Sequence, residues 1–176
     1  MNRVLAILVW LLIIAVQVSL WPQITTGIQP AFTLAAALAV GLTPAKATTG
    51  PARAHVGSSS NVWSGFWLAI ASGAGLDLYA QHHFGMLLTA SALGYAVVWL
   101  IIRPPVDDLG WPSRLSAALL AAAIYELIIL GTLKLTVAHF PFLASLITVA
   151  TLNVLGTVAA FALFTGVLGA FRRRFS

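Results

Sequence analysis

This 176-residue chain has four acids and four histidines as its carboxyl and imidazole groups, and it has no cysteine. The absence of cysteine rules out disulfides, thiolate metal sites and cysteine nucleophiles. Two of the acids, Asp77 and Glu126, lie within long apolar runs. Asp77 stands in Gly73-Ala74-Gly75-Leu76-Asp77-Leu78-Tyr79, shortly before Gln81-His82-His83. Its carboxylate is either presented to a partner or ligand, or it ends its segment by reaching water or capping the following turn. Asp77 with His82 and His83 makes a poor metal centre: adjacent histidines cannot both face one site from a helix, and no thiol or second acid joins them. We therefore expect no metal and no cofactor.

Glu126 is flanked by Ile124, Tyr125, Leu127 and Ile128, and one turn away in either direction stand only Ala, Ile and Leu. An ionised group at bilayer depth costs about 3 kcal/mol or more unless paired or neutralised. Glu126 is thus expected to be protonated, to bond another helix, or to face a partner. Asn153 and Gln17 are the other intramembrane polar groups within its possible reach. A proton relay or substrate contact competes here with a structural bond between helices. Neither acid belongs to an enzyme constellation. A rhomboid-type serine–histidine pair, a pair of aspartates at depth and a multi-aspartate metal cluster are all missing, and Glu126 has no positioned second group for acid–base work. No catalytic residue is expected.

The elements that carry these residues are apolar throughout. Composition is 60% hydrophobic and 7% charged. Lipid leaves backbone N–H and C=O without partners, so spanning segments are helices or closed barrels. The apolar runs here are continuous rather than alternating, which selects helices. Six spans are expected, at about 3–22, 27–43, 62–80, 84–102, 114–136 and 142–171. Together they make a single all-α membrane domain with a flexible inner loop over 44–61. The second run is short for a bilayer. The sixth is long enough to tilt, to break near Asn153 and Gly156, or to begin along the outer interface. Ser113 is a candidate N-cap for the fifth span. Arg3 and Val4–Val18 look like the start of a signal peptide, but Val18–Pro22 is a poor cleavage context, so an uncleaved first span is preferred.

Nine Lys and Arg residues orient the chain. With both termini cytoplasmic, all but Lys134 fall on the inner side, as the positive-inside rule requires. The net charge of +5 then reflects membrane asymmetry and attraction to anionic lipid heads, and nucleic acid is not an expected partner.

Several short motifs resemble the bacterial rod shape-determining protein MreD family. They are Gly65-Phe66-Trp67-Leu68-Ala69, the Gly73–Leu78 stretch, Phe84-Gly85 and Gly94-Tyr95, followed by Tyr125-Glu126-Leu127, Asn153 and the arginine-rich end. The likeness covers about residues 60–174. This chain has Gly-Leu-Asp-Leu where the family has a Gly-Leu-x-x-Asp-Leu-like turn, and its loop 45–61 is longer. The resemblance implies a six-helix fold akin to the substrate-binding subunits of ECF vitamin transporters. It also implies a non-enzymatic scaffold role in cell-shape and wall-elongation machinery, with an MreC-like protein and wall-synthesis enzymes as partners. The alternative is an ECF-type vitamin-binding subunit or another small permease. Gly73, Gly75, Asp77 and Gly85, on the hairpin of the third and fourth spans, are the candidate partner contacts, because small residues admit a neighbouring helix closely. Oligomeric state is left open.

Reporter fusions test the orientation. Fusions at Gly50 and Ser176 are expected to read cytoplasmic and a fusion at Gln81 external. A cytoplasmic signal at Gln81 would overturn the arrangement.

Overall fold

The computed structural model describes residues 10–20, 31–43, 54–79, 85–102, 110–137 and 141–174. Everything regular in them is helical, and they contain no strand. The six helices are α1 (10–20), α2 (Phe32–Leu42), α3 (Ala54–Tyr79), α4 (Met86–Ile102), α5 (Trp111–Thr136) and α6 (142–174). The last five residues of α1, Val16–Leu20, form a π turn. A second π turn, Leu146–Ala150, interrupts α6 between Phe142–Ser145 and Thr151–Arg174.

These bounds differ from the expected spans in instructive ways. The second run becomes an 11-residue helix that starts after Pro30, with Ala31 as a non-helical N-cap. At 1.5 Å per residue it is about 16 Å long, roughly half a hydrocarbon thickness. Residues 54–61, expected as loop, are helical and extend α3 backwards. That stretch contains no proline to stop it. Ser113 does not cap α5: the helix starts at Trp111, three residues earlier than expected, behind Gly110, with Pro112 in its first turn and no side-chain cap. Gly110, Trp111, Pro112 and Ser113 are all exposed, so solvent or headgroups can satisfy those amides. The sixth run does not break at Asn153 or Gly156; one wide turn just before Asn153 takes up the change instead. The inner loop residues 44–53 and the histidines His82 and His83 lie outside the described residues.

The short helix α2 is the axis of the bundle. It packs against α3 and α6 and also touches α4 and α5, while α3, α4, α5 and α6 adjoin one another in sequence around it. Nine of its eleven residues are buried, and Leu34 and Leu38 rank with Phe161 among the largest side chains fully enclosed. Close approach at the crossings depends on glycine. A Cβ on Gly65 would lie 2.7 Å from the Ala37 carbonyl oxygen of α2 and 2.9 Å from Gly41 Cα, so α2 and α3 touch backbone to backbone. Tyr95 of α4 inserts at the same crossing and donates its hydroxyl to Val62 O at 2.9 Å. At the other end of the hairpin, a Cβ on Gly73 would come within 2.6 Å of Leu88 Cα. A Cβ on Gly94 would meet Ala121 O of α5 at 3.0 Å.

Among the described residues the exterior of the bundle is largely apolar. Among described side chains, the charged residues are Asp77 and Glu126, both buried, the half-buried Arg114 and the exposed Lys134. The exposed positions instead include Trp63, Trp67, Leu127, Leu143, Ile147 and Leu163. Among the described residues two helices, Trp111–Thr136 and Leu143–Ala170, are long and apolar enough to cross a membrane. Arg114 and Lys134 stand twenty residues apart on α5, about 30 Å along the axis, which matches a hydrocarbon thickness.

The crossings yield a paired test. Gly73→Ala forces a methyl against backbone and is expected to cost about 1–3 kcal/mol of stability. Gly131 has open space where a Cβ would stand. Gly131→Ala is expected to be neutral or to stabilise by up to about 1 kcal/mol through helix propensity. Thermal unfolding in detergent reads both, and equal effects would contradict the packing described.

Candidate functional site

Besides the exposed start of α5, two helices of this bundle start with residues whose side chains cannot cap them. Alanine stands at the N-cap of α2 and glycine before the first residue of α4. The first amides of a helix have no partner within it, and burying them unpaired costs about 1–3 kcal/mol each. In both helices the missing acceptors come from other helices.

For α4 the donor of caps is Asp77, near the end of α3. Its Oδ2 accepts from Gly85 N at 3.0 Å and Leu88 N at 2.9 Å, and its Oδ1 accepts from Leu87 N at 2.9 Å. Gly85 holds φ at +94°, a region that favours glycine, and its carbonyl receives Thr89 N at 2.9 Å. Asp77 is 4% exposed. Of the two readings of Asp77, presented to a partner or ending its segment as a cap, the geometry has it turned inward, where it fastens the two halves of its own hairpin. The reading of Asp77 as a capping group fits this geometry, with the cap applied to the next helix rather than to the Gln81–His83 turn. A carboxylate at a helix N-terminus also meets the positive end of the macrodipole.

For α2 the caps come from two sides. Gln17 Oε1 of α1 accepts from Thr33 N at 3.0 Å, and Thr157 Oγ1 of α6 accepts from Ala31 N at 2.9 Å. Thr157 Oγ1 itself donates to Asn153 O, one turn back, at 2.8 Å. The Asn153 side chain hydrogen-bonds Glu126 across the α5–α6 contact. Gln17 therefore serves α2, while Asn153 is the partner of Glu126. The resulting polar path runs Gln17, the α2 N-terminus, Thr157, Asn153, Glu126, and Tyr125 stands within electrostatic range of both Glu126 and Asp77. Each π turn adjoins one of these polar groups: Gln17 lies in the first, and the second ends just before Asn153. An extra residue in a turn rotates the remainder of its helix, and such turns are frequent at functional sites.

The four hairpin candidates divide by role. Gly73 is the α3–α4 crossing and Gly85 the turn. A Cβ on Gly75 would meet only Ile14 Cδ1 of α1, at 3.7 Å, an ordinary contact. Sequence reasoning missed Thr33, Thr157 and Gly41, and it named Gly65 and Tyr95 only as parts of motifs. A threonine on an apolar helix gives no signal of its own, because it usually bonds the carbonyl a turn back, as Thr132 and Thr165 do here. Gly94-Tyr95 stands out in the sequence only as part of a motif, though a glycine beside a tyrosine in an apolar helix is itself a mark of a tight crossing.

At the far end of the same hairpin, Val62, Trp63, Phe66, Tyr95, Ala96, Trp99 and Leu100 line an apolar cleft of about 190 Å³. Trp63 and Trp99 stand 6.1 Å apart, and Phe66 lies 6.0 Å from Tyr95. Among the described residues no group of three His, Cys, Asp or Glu side chains is placed to hold a metal ion. Compared with protein-family models, curated proteins and solved structures, the chain matches none.

The Asp77 clasp predicts a local effect. Loss of a capping acid costs about 0.5–2 kcal/mol, and with three amides orphaned Asp77→Ala is expected at or above the upper end. Hydrogen exchange at the Leu87 and Leu88 amides is expected to rise well before exchange in the middle of α5 does. Unchanged protection at those two amides would overturn the clasp.

Proposed function

We propose that this chain is a six-span membrane protein with both ends cytoplasmic, acting as a non-enzymatic scaffold subunit of the kind found in bacterial cell-shape and wall-elongation machinery. The observation that carries the membrane part is the inverted surface: two buried acids inside, leucine and tryptophan outside. A water-exposed protein with so continuous an apolar exterior would aggregate. In lipid the same exterior is the ground state.

The scaffold part rests on the resemblance to the MreD family and on how the resembling residues are used. Gly73, Asp77, Gly85, Gly94 and Tyr95 are joints of the bundle: crossings, a turn, a cap and a wedge. Glu126 and Asn153 form a bond between α5 and α6. Every one of these polar groups engages its own chain, which suits a rigid membrane body that works by contact. The outward face of the α3–α4 hairpin is apolar and aromatic, with Trp63, Trp67, Leu78 and Trp99 exposed. On this reading an MreC-like membrane partner meets that face by side-chain packing, and Asp77 acts only by holding the face in shape.

Affinity purification in mild detergent, followed by mass spectrometry of co-eluting proteins, tests the assignment. An MreC-like protein and wall synthases are expected. An ATPase pair with a coupling subunit would overturn it in favour of a vitamin-transporter subunit. Trp67→Ala is expected to lower recovery of the MreC-like protein several-fold while leaving thermal stability unchanged, because its side chain is 62% exposed.

A further inference from the structure

Two hydroxyls stand in the closed interior with nothing to bond. Thr33 is 1% exposed and Ser91 0%, and neither Thr33 Oγ1 nor Ser91 Oγ has a hydrogen-bond partner among the described residues. An enclosed, unbonded hydroxyl is costly, and native interiors hold few of them. Elsewhere in this bundle a buried hydroxyl bonds a carbonyl about one turn back, as Ser72 bonds Ala69 O and Thr157 bonds Asn153 O. Thr33 has no such carbonyl within its helix, because it is the second residue of α2. Ser91 has one, since α4 begins at Met86, and does not use it.

The two hydroxyls lie at one level of the bundle. Gly65 of α3 meets Ala37 and Gly41 of α2. Further along α3, Gly75 meets Ile14 of α1, and Gln17, one turn on from Ile14, reaches Thr33 N. Helix α2 therefore runs against α3 and alongside α4. A Cβ on Gly94 would stand 3.8 Å from Leu34 Cδ2, which marks where α4 passes α2. Ser91 is three residues before Gly94, on the same face of α4 and one turn nearer its start. Thr33 directly precedes Leu34 in the first turn of α2. Both unbonded hydroxyls thus belong to the level at which α2 begins.

Each hydroxyl has one O–H to donate and lone pairs to fill, so the group that satisfies both must accept and donate. Water does both, and an enclosed water makes about three hydrogen bonds to buried polar groups. An anion would find the Ala31 and Thr33 amides already bonded to Thr157 and Gln17. A metal cation would require more oxygen donors than two hydroxyls supply. We propose that Thr33 and Ser91 bind one water molecule, sealed inside the bundle at the start of α2, and that this water ties α2 to α4. In a bilayer the site lies at depth, where a helix can begin only within protein or beside water. It stands on enclosed hydroxyls and helix packing, so it holds or fails separately from the scaffold role.

Solid-state NMR of the full-length protein in lipid vesicles, with magnetisation transferred from water, reads the site. Water cross-peaks are expected at the Thr33 and Ser91 side chains, and Ser91→Ala is expected to remove the Thr33 peak as well. No peak at either residue in the wild type, or a Thr33 peak that survives Ser91→Ala, would overturn the site. Thr33→Val and Ser91→Ala also delete each hydroxyl at nearly constant volume. If the hydroxyls were dry, deleting them would leave Tm unchanged or raise it. With water bound, each variant is expected to lower Tm by about 2–4 °C. The double variant is expected to lose about as much as one single variant, because both hydroxyls act through the same water. An unchanged or raised Tm in either single variant, or losses that simply add, would count against a shared water.

Discussion

A helix that begins away from water must find acceptors for its first amides, and this requirement organises the bundle. Helix α2 begins inside the protein behind an alanine, and α4 begins half-buried behind a glycine. Neither residue has a side chain that can cap. Gln17 and Thr157 satisfy the first helix, and Asp77 satisfies the second. Because these acceptors come from α1, α6 and α3, each cap also fixes one helix against another. Hydrogen bonding and tertiary arrangement are therefore the same set of contacts. At a solvent-exposed start such as that of α5, side-chain capping is dispensable, and none is made.

Close packing completes what the caps begin. With caps holding the helix ends, glycines let the middles approach to backbone contact, at Gly41 with Gly65, at Gly73 and at Gly94. Tyr95 shows how little slack remains, since its ring fills the space at one of these crossings and its hydroxyl ties Val62. Association of helices in an apolar medium gains nothing from burying more leucine, so close contact and internal hydrogen bonds supply the specificity. The two π turns obey the same requirement. Each sits where a regular helix meets a polar group that a neighbour requires, near Gln17 in α1 and near Asn153 in α6.

The acids that stand out in sequence, Asp77 and Glu126, are engaged with backbone amides and with Asn153 respectively. A closely packed interior lies beneath an apolar, aromatic exterior.

The sequence by itself determined the all-helical class, because continuous apolar runs with internal polar groups admit little else. It also marked Asp77, Glu126, Asn153, Gly73 and Gly85 as unusual, since an acid or a glycine is conspicuous in an apolar run. Only the tertiary structure decided what each of them does. Whether Asp77 faces out or in depends on the rotation of α3 against α4, which the Gly73–Leu88 contact sets. Asn153 rather than Gln17 meets Glu126 because α6 adjoins α5, while Gln17 is carried to the start of α2. The shortness of α2 was half visible in its composition. Its place at the centre of the bundle was not, because burial is a property of neighbours, and a run of alanine and leucine reads alike whether it faces lipid or protein.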